Sequence, residues 1–248
     1  MGQKVNPIAN RLGIIKGWDS NWFGGKDFSE KLAEDAKIRK YLNTRLANTS
    51  LSKIVIERTL KVVTITILSS RPGLIIGKDG DKVESLRKEL KKLLKKDDVQ
   101  INIYEVKRGE VDANIVGQLI ARQLEGRVSY RRAIKSAIAT AIRGGAEGIK
   151  VQVSGRLGGA EMARSETIKE GRIPLHTFRS DVDYCQSVAT TKVGAIGVKT
   201  WICHGTVYAK RDLFEIQGAN AQQPRSNGGH PQGRKDRNQK KRRNNNSK

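Results

Sequence analysis

Apolar side chains along this chain switch between the period of a helix and the period of a strand, and the switches divide it into two folding units. Asp27, followed three residues later by Glu30, resembles a capping box and opens a predicted helix in which Leu32, Ile38, Leu42 and Leu46 fall near one face as far as about Asn48. Two β-branched stretches follow, 51–58 and 61–68. In the second, Val63, Ile65 and Ile67 alternate with Val62, Thr64 and Thr66, the mark of a strand with one buried face. Thr59 and Leu60 leave room only for a tight connection, so the two stretches are predicted to form an antiparallel hairpin. Arg71-Pro72-Gly73 ends it. After the short apolar segment Leu74-Ile75-Ile76, the sequence Gly77-Lys78-Asp79-Gly80 interrupts the chain before a second helix, where Val83, Leu86, Leu90, Leu93 and Leu94 make a stripe among many lysines. Val99, Ile101 and Ile103 then alternate with Gln100, Asn102 and Tyr104 in a third strand.

A new unit begins near Gly109. Ile115, Val116, Leu119, Ile120 and Leu124 mark one helix; Ser129 is placed to cap another, in which Ile134, Ala137, Ile138, Ala141 and Ile142 recur up to Gly144-Gly145. Strand candidates follow at 149–154, 161–169, 181–190 and 197–203. Two helices on an antiparallel or mixed sheet make a second α+β domain. Residues 1–26 have little periodicity and mix Gly13, Gly17, Gly24 and Gly25 with Lys4, Arg11, Lys16 and Lys26, which reads as a basic arm and not as a folding unit. From about Gln217 the chain is nearly all polar, and disorder is expected there because too few apolar groups remain to offset the entropy of folding. The divisions are therefore an arm at 1–26, a first domain at 27–108, a second at 109–212 and a basic tail at 213–248. The tail reads either as a nonspecific phosphate-binding arm or as a solvated solubility segment.

Charge narrows the function. Of 248 residues, 48 are Lys or Arg and 25 are Asp or Glu, a formal net charge of +23, which calls for a polyanionic partner. No apolar run reaches the roughly 20 residues of a membrane span, no signal-peptide core follows the N-terminus, and Asn6 stands where a myristoylation signal has Ser or Thr, so no membrane role is expected. Two cysteines, Cys185 and Cys203, are too few for a disulfide framework and suit a reducing compartment. An intracellular nucleic-acid-binding protein is the expectation.

The loop Gly77, Lys78, Asp79, Gly80 sharpens it to RNA. Two glycines bare the backbone, the next helix offers free N–H groups, and Lys78 adds charge, so a sugar-phosphate backbone fits close against the chain; Ile75 and the third strand are expected to line a groove for bases. A helix-to-helix turn uses the same glycines without any ligand. A nucleotide-hydrolysing loop is excluded by spacing, since only three residues separate Gly73 from Gly77 and Asp79 follows Lys78 where Ser or Thr should hold magnesium.

The order helix, hairpin, glycine loop, helix, strand resembles a type II K-homology domain. Taken with Gly2-Gln3-Lys4-Val5-Asn6-Pro7, Val153-Ser154-Gly155-Arg156-Leu157-Gly158-Gly159-Ala160-Glu161, Gly171-Arg172-Ile173-Pro174-Leu175-His176 and Gly194-Ala195-Ile196-Gly197-Val198-Lys199, the chain resembles the bacterial family of ribosomal small-subunit protein three over residues 1 to about 209. Ala9 and Asn10 depart from that family's pattern of glycine and an aromatic residue. The resemblance implies a cytoplasmic, non-catalytic component of the small-subunit head, bound to 16S ribosomal RNA beside head proteins ten and fourteen, and not a homo-oligomer. It also implies that the second domain helps form the entrance for messenger RNA. A free K-homology regulator of messenger RNA and a nucleic-acid-processing enzyme are the competing readings.

Further RNA-binding candidates follow from charge and from that resemblance. Arg131, Arg132 and Lys135 share an arc of about 100° on the second helix of the second domain, either as a solvated face or, as the resemblance implies, as contacts to message phosphates. Arg156, among glycines, and Arg164, on the strand beyond, suit close approach to RNA or a plain strand turn. Lys4 and Arg11 in the arm join the same set. Trp18, Trp22 and Phe23 are expected to pack against protein. His176, Cys185, Cys203, His204 and His230 lack metal-ligand spacing, so neither metal nor other cofactor is expected. Glu161, Glu166 and Glu170 have no nucleophile or paired base beside them and read as salt-bridge partners.

Overall fold

The computed structural model describes residues 4–60, 62–78, 80–94 and 98–208. Helix α1 (Phe28–Arg45) buries Ile38 and Leu42, with Leu46 just beyond its end, at the four-residue spacing that stacks side chains on one face. Leu32 is exposed, against expectation, because six residues before Ile38 it lies about 120° round the helix. Asp27 does occupy the N-cap, but its carboxylate accepts no cap hydrogen bond, so the expected capping box is not formed.

Strand β2 (Leu51–Arg58) pairs antiparallel with β3 (Val63–Ser69), Ile54 opposite Ile67 and Ile56 opposite Ile65, as the alternation predicted. The chain then passes through α2 (Pro72–Ile76) and α3 (Asp81–Leu94) to β4 (Val99–Glu105), which lies parallel to β3. A helical crossover of this kind is what parallel pairing requires. Ile75 of α2 and Leu86, Leu90 and Leu94 of α3 join Ile38, Leu42 and the sheet in one core, whereas Leu93 is displaced to the surface.

The arm is more ordered than its composition predicts. A two-residue strand, β1 (Ser20–Asn21), runs parallel to β2 and extends the sheet to β1-β2-β3-β4. Asp19 O accepts from Ile56 N at 2.9 Å, and the Arg39 guanidinium reaches Asp19 O and Ser20 Oγ, each at 2.9 Å. Trp22 donates its indole N–H to Asp35 at 2.8 Å and packs on Phe28 at 5.3 Å between ring centroids; Asp35 also takes a paired contact from Arg58. Trp22 thus packs against its own domain, while Trp18 and Phe23 stay exposed.

The second unit comprises α4 (Ala113–Glu125), α5 (Tyr130–Arg143), β5 (Gly148–Gly155), β6 (Arg164–Gly171), β7 (Ser180–Thr191) and β8 (Gly194–Thr206). Its strands are all antiparallel in the order β6-β5-β8-β7. Both helices cover one face, where Val116, Ile120, Ile134 and Ile138 meet Ile149, Val151, Val153, Val198 and Ile202. Helix α4 sits so close to β7 that a Cβ on Gly117 would lie 2.9 Å from Ser187 Oγ.

Polar contacts join the two units. Asp112 caps α4 by accepting from Asn114 N at 2.9 Å and Ile115 N at 3.1 Å, and the Ser52 hydroxyl donates to its other oxygen. Asn114 Nδ2 donates to Ser52 O at 2.6 Å and Gln118 Nε2 to Leu51 O at 3.2 Å. Burial, and then the neighbouring Asp183, raise the Asp112 carboxyl above its ordinary range. The segment 213–248, expected to be disordered, lies outside the described residues.

Candidate nucleic-acid interface

The glycine loop is shaped by its backbone. Helix α2 ends where Gly77 takes φ 79°, its N–H returning to Gly73 O at 3.0 Å; Gly80 takes φ 88°, and its carbonyl accepts from Val83 N at 3.0 Å and Glu84 N at 3.2 Å as α3 begins. A side chain is disfavoured at both positions. A Cβ at Gly77 would also lie 2.8 Å from Lys82 Cγ, whereas one at Gly80 would meet open space. Lys78 is exposed, and Lys82, which sequence reasoning left aside, crosses back over the loop to donate to Leu74 O at 3.4 Å. Asp79 lies outside the described residues. Ile75 does not line a groove as expected: it is buried in the core, and its neighbours Leu74 and Ile76 are the ones exposed.

A second group of candidates meets where α5 begins. Arg131, Arg132 and Lys135 are all exposed, with Ala133, Ile134, Ala137 and Ile138 holding the opposite side of the helix in the core. Arg164 of β6 comes to the same place. Tyr130 Oη donates to Glu166 Oε1 at 2.9 Å, Arg131 and Arg164 stand 3.4 and 3.7 Å from that same oxygen, and Arg164 donates to Tyr130 Oη at 3.2 Å. The Arg131 guanidinium also lies over the Tyr130 ring, 5.7 Å from its centroid. Tyr130 holds the Glu166 carboxylate below its ordinary pKa, with Arg131 assisting. Glu166 is thus an ion-pair partner, as its position among basic residues predicted. Its service to two arginines at once, and any part for Tyr130, were not foreseen. Arg132 and Lys135 make no ion pair among the described residues, so their charge faces solvent undiminished.

Two arginines are committed elsewhere. Arg156 donates to Ala160 O at 2.9 Å and Val193 O at 3.3 Å, tying the glycine-rich turn at Leu157–Gly159 to the β7–β8 hairpin. Arg11 is fully buried, and its guanidinium serves Ser180 O at 2.6 Å, Pro7 O at 2.9 Å, Thr177 O at 3.0 Å, Leu175 O at 3.2 Å and Pro174 O at 3.3 Å. It fastens the arm to the second domain and has no surface to offer RNA, which corrects the expectation for this residue. Lys4 is exposed.

Neither cysteine is placed for chemistry. Both are buried, and burial pushes the Cys185 thiol up to about 11. Among the described residues, no three His, Cys, Asp or Glu side chains gather where they would hold a metal ion. His230 lies outside the described residues. No described helix is long and apolar enough to cross a membrane.

Comparison with known proteins bears on both halves. A family described as "KH domain" matches residues 37–111, and one described as "Ribosomal protein S3, C-terminal domain" matches residues 120–202. The small ribosomal subunit protein uS3 of Bacteroides fragilis is 64% identical over 229 residues, covering 92% of this chain and 93% of that protein. That of Phocaeicola vulgatus is 68% identical over 213 residues, covering 86% and 87%. The Porphyromonas gingivalis protein is 61% identical over 236 residues, covering 94% and 96%. Identity of this order along nearly the whole length, with a K-homology domain followed by the α+β domain matched here, means that the chain belongs to the family of small ribosomal subunit protein uS3.

Proposed function

We propose that this chain is a structural constituent of the small ribosomal subunit head, where it binds 16S ribosomal RNA and lines the entrance for messenger RNA. It is a ribosomal component of the cytoplasm and not an enzyme. The observation that carries the finer reading is the face at the start of α5, where Arg131, Arg132 and Lys135 project together and Arg164 is brought beside them. Exposed guanidinium and ammonium groups on a rigid helix suit phosphates of a passing strand, and they act without reading its bases. Strand opening at such a face is driven by translocation of the assembled ribosome. The Gly77–Gly80 loop supplies a further backbone clamp for RNA. Val5, Trp18 and Phe23, all exposed on the arm, suit contact with neighbouring head proteins, for which proteins ten and fourteen are the candidates.

The test replaces Arg131, Arg132 and Lys135 together by Gln in the full chain. The variant is expected to enter small subunits normally while photocrosslinking of a message analogue to α5 falls several-fold. Unchanged crosslinking in subunits that hold the variant would refute the assignment of this face.

A further inference from the structure

The face of the second sheet turned away from α4 and α5 carries a charge that nothing in the protein answers. The strand register sets Lys150 of β5 beside Lys169 of β6 on one side and Trp201 of β8 on the other, and Trp201 beside Tyr184 of β7. These side chains form one row across the whole sheet. Lys199 stands in the next row, flanked by uncharged Gln152 and Gln186. Lys4 of the arm approaches the same place: after burial, the charges of Lys4 and Lys169 are what hold the Lys150 ammonium below its ordinary pKa. No ion pair among the described residues involves Lys4, Lys150, Lys169 or Lys199.

Like charges placed directly across a sheet destabilise it, so this arrangement is a cost to the isolated protein that a polyanion would relieve. The aromatic groups hold the cations up. Lys150 Nζ lies 4.8 Å from the centroid of the Trp201 ring, and the Tyr184 ring packs against Trp201 at 5.3 Å. Trp201 itself is only 9% exposed, in a small cluster with Val182 and Cys203 against which Ile173 and Leu175 pack. An interface for another protein would centre on a cluster of accessible aromatic or aliphatic anchors; beside Lys150 the aromatic rings are spent internally, and Val188, two rows away on β7, is a single exposed apolar side chain on this face. Around Lys150 what remains outward is cationic and polar, from Lys169, Lys199, Gln152 and Gln186, the character of a surface that contacts sugar and phosphate.

We propose that the outer face of this sheet, centred on Lys150 with Lys4, Lys169 and Lys199, is a second RNA-binding surface that grips the phosphates of a folded RNA segment. It lies across the sheet from the α5 face. The second domain is then held between two RNA elements, one anchoring it through the sheet while α5 stays available to a moving strand. The inference rests on the reading of the partner as RNA, but on different residues from those of α5.

The test measures binding of the full chain to transcribed 16S ribosomal RNA as salt is varied. Replacing Lys150, Lys169 and Lys199 by Gln is expected to flatten the plot of log affinity against log salt by about 2–3, since each phosphate that is no longer neutralised takes about 0.7–0.9 from the slope. Replacing the same residues by Arg is expected to restore it, which separates charge from folding. The α5 triple variant, measured alongside, reports on the other face; additive slope changes support two independent surfaces. An unchanged slope in the Lys-to-Gln variant overturns the proposal, even if that variant fails to enter small subunits, because the face would then serve a protein neighbour. A slope reduced equally in the Gln and Arg variants also overturns it.

Discussion

Replacing Arg11 by Ala tests whether a cation in a basic arm binds RNA or builds the fold. The side chain is fully buried and spends its Nε and both terminal nitrogens on five backbone carbonyls at 2.6–3.3 Å, four of them between Pro174 and Ser180. A buried acceptor left without a partner costs about 1–3 kcal/mol, but the sum is not additive because water enters the space vacated. Hydrogen bonds from a charged donor are worth about 1.5–3 kcal/mol, so with partial rehydration of the carbonyls a loss of about 2–4 kcal/mol is expected. Burial lowers the guanidinium pKa from its very high ordinary value, and neighbouring Asp181 opposes that shift. Urea unfolding of the full chain, followed by circular dichroism, measures the loss; hydrogen exchange of residues 174–180 localises it. Arg11→Lys is expected to recover only part of the loss, because a single ammonium does not span the fork of acceptors. A stability change below about 0.5 kcal/mol, combined with a flatter salt dependence of RNA binding, would show that the residue contacts RNA after all.

Three other changes bear on separate parts of the molecule. Asp112 is raised above its ordinary 3.8 by burial, so the fold favours its protonated form; its contribution to stability is full below that value and is lost as pH rises through the folded pKa. Asp112→Asn keeps the helix cap through its amide oxygen and reverses the contact with Ser52, the amide nitrogen donating to the hydroxyl, so neutral-pH unfolding should show stability within about 1 kcal/mol of wild type or above it, and a loss beyond about 2 kcal/mol would contradict this assignment. Changing Gly77 and Gly80 to Asp adds Cβ atoms at positive φ and anions where phosphate is expected, and filter binding should show RNA affinity reduced at least tenfold with the second domain still folded; equal affinity would sink the loop reading. Glu166→Gln releases Arg131 and Arg164 from a shared carboxylate, and RNA binding should then tighten and depend more steeply on salt. Weaker binding would mean that Glu166 orients the arginines instead of competing for them.

Local pattern made much of this legible. The hairpin was readable because its buried residues alternate over a run bounded by a tight turn, and α3 because Leu86, Leu90 and Leu94 repeat along one face. The glycine loop was readable because two positions at positive φ demand glycine whatever surrounds them. Arg11 was not readable. In a glycine-rich basic arm it looks like one more surface cation, and four of its five acceptors lie 163 to 169 residues further along the chain. The same holds for Arg131 and Arg164: only the position of β6 at the sheet edge beside α5 brings them to one carboxylate. Ile75 shows the opposite difficulty. In a short helix beside a proposed ligand loop, an apolar run does not say which member turns inward.

Sedimentation of cell lysate bears most directly on the ribosomal role. The full chain is expected to migrate with small subunits in near one-to-one ratio and to stay with them through a moderate-salt wash, since its fit to folded RNA and its burial among neighbouring components persist where phosphate contacts alone weaken with salt. A chain found mainly in the light fractions, or one released from subunits by moderate salt while still folded, would contradict it.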